Sequence, residues 1–213
     1  MNSKRLFIFD VDGTLADSYR AIAESLNYVR NKLGYAQVSF AKIKKSIGKG
    51  DKLFIRSFFS KGDQKEALRL YRIHHKKSLG LLSKTRPFAK WVLSHLVRRK
   101  KIIAVASNRP KEFTVILLKS LGIYRYFNYI LCADEIGRLK PDPAIILNLI
   151  RLSKVEREQA VYIGDMDIDL ETARRAGVEA VFIKGGSSPV SCLRAYKKKK
   201  VISSLKEILK LYG

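Results

Sequence analysis

Two carboxylates stand one residue apart at Asp10 and Asp12, directly after the apolar stretch Leu6 to Phe9 and directly before Gly13-Thr14. Acids this close repel one another unless a cation lies between them, and a hard ion such as Mg²⁺ suits oxygen donors. A carboxylate can also act as a nucleophile or carry a proton for general acid–base work. Three later segments repeat the arrangement of an apolar run followed by chemistry. Ile102 to Ala106 runs into Ser107-Asn108. Tyr129 to Cys132 is followed, after a short loop, by Lys140-Pro141. Val161 to Ile163 runs into Gly164-Asp165-Met166-Asp167-Ile168-Asp169.

Such residues must be held by something rigid. Four apolar residues without alternation suit a strand buried on both faces. A buried strand that stops at Asp10 delivers a carboxylate to the sheet edge where open α/β sheets bind ligands. Gly13 then allows a sharp turn and a close approach of backbone to ligand. Beyond Phe88 strands and helices alternate: a helix to Arg99, strand 102–106, a helix from Pro110 to Gly122, strand 129–132, a helix from Pro143, strand 160–163, a helix across Leu170 to Ala176, and strand 178–183. This alternation predicts a doubly wound parallel sheet, with residues 5–10 as another of its strands. Residues 17–84 carry no strand pattern. Ile22, Leu26, Val29 and Leu33 recur at helical spacing before Gly34, Ser39 can cap a short helix, and Leu53 to Phe59 and Gln64 to Leu79 read as two more, the last capped by Asp63.

The chain has 213 residues, enough for one substantial core and a smaller second unit. No apolar run approaches the roughly 18 residues needed to span a bilayer. The apolar stretch after Lys4-Arg5 is too short for a signal peptide, so a cytoplasmic location is expected. Cys132 and Cys192 suggest neither a disulfide framework nor a metal site, and Cys132 reads as packed. The net charge of +24 invites a nucleic-acid reading, but the 43 basic residues are spread along the chain. The densest clusters, Arg98 to Lys101 and Lys197 to Lys200, lack interleaved aromatics, so a solvated basic surface is expected and nucleic-acid binding is not.

The four motifs, in this order and each just past a strand or its loop, resemble the haloacid dehalogenase-like hydrolase superfamily. The resemblance spans roughly residues 4 to 211 and is weak between Asp17 and Lys84. It implies a Rossmann-like core of residues 1–16 and 85–213, with a small all-helical cap, residues 17–84, inserted after the first strand. It further implies Asp10 as the nucleophile that forms an aspartyl-phosphate and Asp12 as general acid and base. The carbon–halogen members of the family lack an acid at the Asp12 position, so Asp12 points to phosphate chemistry. Asp10 and Asp165, with the Asp12 backbone carbonyl, would hold Mg²⁺, and Asp169 would support it. Gly13, Ser107, Asn108 and Lys140 would bind the phosphoryl group. The helical cap and the Ile47-Gly48-Lys49-Gly50 turn look similar to phosphoglycolate phosphatases. Lys49, Lys52 and Arg56 would then meet the leaving group of a small phosphorylated metabolite. A β-phosphoglucomutase type of mutase, a pyrophosphatase, a nucleotidase or a weakly active basic binding module are the alternatives. His74, His75 and His95 read as surface or helix-packing residues and Trp91 as core. Asp167 reads as a helix cap or solvated, and Gly185 to Ser188 as a loop lacking a Walker lysine.

Overall fold

In the computed structural model, which describes residues 4–196 and 200–212, the first strand is β1 (Leu6–Phe9). Its four side chains are fully buried. Because strand side chains alternate, Leu6 and Ile8 enter the apolar layer on one face of the sheet, and Phe7 and Phe9 the layer on the other. The absence of alternation in the sequence therefore reports a central strand covered on both sides. From Asp10 the chain turns into a short strand, β2 (Ala16–Asp17). Four helices follow: α1 (Tyr19–Lys32), α2 (Phe40–Lys45), α3 (Gly50–Arg56) and α4 (Gln64–Leu82). The chain returns through β3 (Lys84–Thr85), which pairs antiparallel with β2.

The helical unit has its own apolar centre. Ile22, Leu26 and Val29 of α1 pack with Ile43 of α2, Phe54 and Ile55 of α3, and Ala67 and Tyr71 of α4. Ser39 caps α2 as its residue type predicts, accepting from Lys42 N–H at 3.4 Å. Asp63 precedes α4 without a side-chain cap; its carboxylate instead accepts from the Ser60 hydroxyl at 2.7 Å and from the Tyr35 hydroxyl. The third helix begins at Gly50 rather than Leu53, because the turn at Gly48 to Gly50 leads straight into it.

The rest alternates: α5 (Ala89–Arg98), β4 (Ile102–Ser107), α6 (Lys111–Ser120), β5 (Tyr129–Cys132), α7 (Ala133–Ile136), α8 (Ala144–Ser153), β6 (Ala160–Gly164), α9 (Asp167–Ala176), β7 (Glu179–Ile183), β8 (Lys200–Ile202) and α10 (Glu207–Tyr212). The main sheet is parallel throughout, in the order β5-β4-β1-β6-β7-β8. The strand order reverses beside β1, and such a switch point opens a crevice at the carboxyl ends of the strands. In register, Phe9 lies between Val105 of β4 and Ile163 of β6. Asp10, Ser107 and Asp165 consequently emerge at one edge.

Two expectations need correction. Trp91 is half exposed, because Ala89, Val92, Leu93 and Leu96 form the buried face of α5 and position 91 falls outside it. A sixth parallel strand, β8, extends the sheet beyond β7; three residues that begin on the last lysine of a run give no periodic signal. Lys197 to Lys199 of that run lie outside the described residues, while Lys200 pairs with Glu179 at 2.7 Å. Cys132 is packed as expected, and burial pushes its thiol up to about 12.

Candidate active site

Three carboxylates converge at the sheet edge. Asp10, Asp165 and Asp169 are buried and offer oxygens within 4.8 Å of one another. Asp10 leaves the end of β1, Asp165 follows β6, and Asp169 lies in the first turn of α9. Among the described residues one buried cation contacts two of them, Asp10 and Asp169. Lys140 Nζ lies 2.7 Å from Asp10 Oδ1 and 2.7 Å from Asp169 Oδ1, and it also reaches the Tyr162 hydroxyl at 2.9 Å. Burial opposes charge on this ammonium, but Asp10 and Asp169 outweigh it and hold the Lys140 pKa well above the ordinary lysine value. Burial raises the Asp10 carboxyl well above its usual range, against the pull of Lys140. Asp165 is raised to about 7 by burial and by Asp169. Three acids sharing one ammonium leave an uncompensated negative site of oxygen donors, which fits a divalent cation.

The surrounding polar groups fix these acids. Asp165 accepts from the Thr14 hydroxyl at 2.9 Å, from Ser187 N–H at 2.7 Å and from the Tyr19 hydroxyl at 3.3 Å. Asp169 Oδ1 also takes the Tyr162 hydroxyl at 2.9 Å, and its Oδ2 takes Met166 N–H at 3.0 Å. Gly13 has φ +85°, and a Cβ there would collide with the Tyr19 hydroxyl and the Asp165 carboxylate. Its N–H donates to Ala16 O at 2.7 Å, so Gly13 supplies the turn and the space rather than the expected phosphate donor.

Above the acids lies a cavity of about 60 Å³. Asp10, Asp12, Ser107, Asn108, Arg109 and Lys140 provide its polar wall; Ile22, Ile47, Phe54, Phe113 and Met166 close the apolar side. The Ser107 hydroxyl accepts from Arg109 N–H at 3.1 Å, which leaves its own hydrogen for a ligand. Asn108 is drawn into the same wall, yet its amide is committed. It donates to Gly48 O at 2.7 Å and accepts from Lys140 N–H at 2.7 Å, so it ties the Gly48 turn to the lysine loop. Gly48 has φ +105°, and a side chain there would strike Met166. The Gly48 turn thus sits against Met166 because a glycine occupies that position.

Lys49, Lys52 and Arg56 do not join this wall. All three are exposed, and the cavity is bounded instead by their neighbours Gly48, Gly50 and Asp51. On α3, Phe54 and Ile55 turn inward, which directs the basic positions outward. The buried cation facing the cavity beside Lys140 is Arg109, at 8 % exposure. It binds Asp12 through both oxygens, Nε to Oδ2 at 3.0 Å and Nη2 to Oδ1 at 2.6 Å. His75 also belongs here: it is buried in the cavity wall and its Nε2 lies 2.9 Å from Arg109 Nη1. His75 packs on its helix as expected, stacked on Tyr71 with ring centroids 4.8 Å apart, and in addition it meets a cation 34 positions away that helical spacing does not reveal. Arg109 carried a visible signal, a charge directly after Ser107-Asn108 at a strand exit. Gly185 to Ser188 is a loop as expected, and Ser187 gives it a task in holding Asp165. Asp167 is exposed and bonds with Ser188.

This sheet, with acids at the switch point and a helical unit over them, defines a hydrolase scaffold. Residues 7–183 match the sequence profile of the haloacid dehalogenase-like hydrolases, and the chain belongs to that family. A phosphoglycolate phosphatase of Aquifex aeolicus is 29 % identical over 182 residues, covering 85 % of each chain. A protein of Caldanaerobacter subterraneus named as a pyrophosphatase is 29 % identical over 205 residues, covering 96 % of this chain and 92 % of its own. A crystal structure from Haemophilus somnus superposes over 100 % of both chains with a TM-score of 0.94 at 24 % identity, which bears on the fold alone.

Proposed function

We propose that the protein is a Mg²⁺-dependent phosphatase that hydrolyses a small phosphate monoester bearing a second negative group, with 2-phosphoglycolate the preferred candidate. One observation carries this reading: Asp10, held by Lys140, and the buried Arg109 face the same small cavity. The fork of a guanidinium matches a planar carboxylate. The apolar wall suits a carbon between the two charges.

In this reading Asp12 first takes a proton from solvent; Asp10 then attacks phosphorus while the bond from phosphorus to the glycolate oxygen breaks, and Asp12 gives that proton to the departing oxygen. Water then attacks the aspartyl-phosphate, Asp12 takes up the water's proton, and Asp10 is regenerated as inorganic phosphate leaves. Ser107 and Lys140 donate to the phosphoryl oxygens, and Asp169 holds Lys140 toward Asp10. Asp10, Asp165 and the Asp12 carbonyl would hold the Mg²⁺, which neutralises phosphoryl charge when bound. Residues 17–84 act as a cap joined to the core by the paired strands β2 and β3. The product monoanion and phosphate are both small metabolites.

Relatives named as phosphoglycolate phosphatases support this substrate. Hydrolysis of inorganic pyrophosphate is the second reading, supported by the relative named for it, since Arg109 would also meet a distal phosphate. The test is a panel of phosphate esters and pyrophosphate with purified protein and Mg²⁺. A kcat/KM for 2-phosphoglycolate below that for pyrophosphate or for neutral sugar phosphates removes the preferred substrate. Turnover that survives exhaustive chelation removes the metal.

A further inference from the structure

Arg109 is bound more tightly than a simple substrate anchor requires. Two of its N–H groups hold the two oxygens of Asp12, at 3.0 and 2.6 Å. Nη2 also reaches the Ser18 hydroxyl at 3.2 Å, and Ser18 in turn bonds to Asp12. Nη1 meets His75 Nε2 at 2.9 Å. A guanidinium only donates, so His75 must accept there as the neutral imidazole. Its proton then sits on Nδ1, 3.1 Å from the Ser25 hydroxyl, which is itself 2.7 Å from the Ser78 hydroxyl. Burial and the guanidinium both keep His75 well below its ordinary pKa, in accord with that tautomer. Arg109 is thereby tied to the catalytic loop, to the start of α1 and to α4.

Asp12 is the other half of the arrangement. Both of its oxygens are engaged by Arg109, so the side chain assigned to proton transfer is committed elsewhere. Of the five N–H groups of a guanidinium, four are used and one on Nη1 is left for a ligand in the cavity. A substrate's second anion placed there competes directly with Asp12 for the same guanidinium.

We propose that Arg109 is a substrate-released latch: the distal anion of the substrate draws the guanidinium from Asp12 and so frees the Asp12 side chain for proton transfer. The latch rests on the phosphatase reading above and adds to it. Selection then operates through turnover as well as affinity. A monoester without a second anion still reaches Asp10 and Lys140, but it meets an Asp12 that remains held. Arg109 acts here as a positioning residue, with His75 fixing it from the helical side.

The experiment divides the substrate in two. Methyl phosphate supplies the ester and formate supplies the distal anion, with sodium chloride at equal ionic strength as control. With wild-type protein and Mg²⁺, formate is expected to raise kcat for methyl phosphate saturably, by about tenfold, equivalent to about 1.4 kcal/mol. In Arg109→Met the rate on methyl phosphate should already be raised without formate, formate should add nothing, and KM for 2-phosphoglycolate should rise. The wild-type arm does not depend on the variant folding. If 2-phosphoglycolate is hydrolysed while formate has no effect beyond that of chloride, the latch is wrong and the phosphatase reading stands. If Arg109→Met is folded and slower on methyl phosphate, Arg109 is a binding or structural group only and the latch fails. If no monoester is hydrolysed at all, both proposals fall.

Discussion

Replacing Lys140 with methionine removes one charge and almost no volume, which makes it a sharp probe of the acid cluster. Lys140 is 5 % exposed, and its ammonium lies 2.7 Å from both Asp10 and Asp169. Without it Asp10, Asp165 and Asp169 face one another with no buried cation in contact. Breaking a buried ion pair by removing one partner costs about 3–5 kcal/mol. In a chain of this size each kcal/mol shifts Tm by roughly 2–4 °C, so the Tm measured in chelator should fall by roughly 6–20 °C. Divalent cation should then act in the opposite direction. Mg²⁺ binding the folded cluster raises stability by mass action, and a more negative cluster gains more from it. Thermal melts followed by circular dichroism, in chelator and across a Mg²⁺ titration, read both effects. A chelator Tm within about 2 °C of wild type, or Mg²⁺ shifts of equal size in both proteins, would show that the three acids do not form the electrostatic unit described.

Asp10→Asn should keep the fold by circular dichroism and show no turnover of any ester, since the attacking oxygen is lost; residual steady-state activity would assign the nucleophile elsewhere. Asp12→Asn should slow an alkyl phosphate by about 10²–10⁴-fold, and near-normal rates would remove it as the acid–base group. Alanine at both Lys49 and Arg56 should alter KM for 2-phosphoglycolate by less than about fivefold, with the difference fading in salt, because both side chains are exposed and outside the cavity; a large, salt-resistant increase would return them to the site. Stability should also depend on pH through His75. Its folded pKa lies well below 6.5, so the unfolded chain takes up a proton that the buried imidazole does not. That contribution is complete above about pH 6.5 and is lost as pH falls below it, at up to about 1.4 kcal/mol per pH unit; urea titrations at pH 7.5 and 5 should show a smaller slope in His75→Gln than in wild type.

The parallel sheet was legible because strand periodicity is local. Leu6 to Phe9, Ile102 to Ala106 and Val161 to Ile163 each announce a two-faced strand within a few residues, and acids or hydroxyls at their ends mark the edge. The polar wall of the cavity was therefore legible as well, in Asp10, Asp12, Ser107, Asn108 and Lys140. What was hidden depends on contacts between distant segments. His75 reads as one more residue on a helix until α4 is set beside Arg109. Asn108 reads as a ligand donor until the Gly48 carbonyl arrives to take its amide. On α3 the basic residues were noticed by charge, whereas Phe54 and Ile55 decide which face turns inward. Side-chain direction is a property of packing, and a short run such as 50–56 carries too few turns to reveal it in advance.

The position of β1 in the sheet has a consequence for how the chain is made. Leu6 pairs with Ile102 on one side and with Ala160 on the other. Within the main sheet β1 is thus translated well before either of its neighbours, β4 and β6. Until residues 160–164 exist, one backbone edge of β1 lacks its partner, and four large apolar side chains await layers supplied by much later helices. The helices of residues 19–82 face no such delay, because α1 to α4 carry an apolar centre drawn from their own stretch of sequence. Long-range parallel pairing is slow and leaves unpaired edges exposed to aggregation. Synthesis of this protein should therefore pass through a stage in which the helical unit is compact while the strand that carries Asp10 is still a client for chaperones.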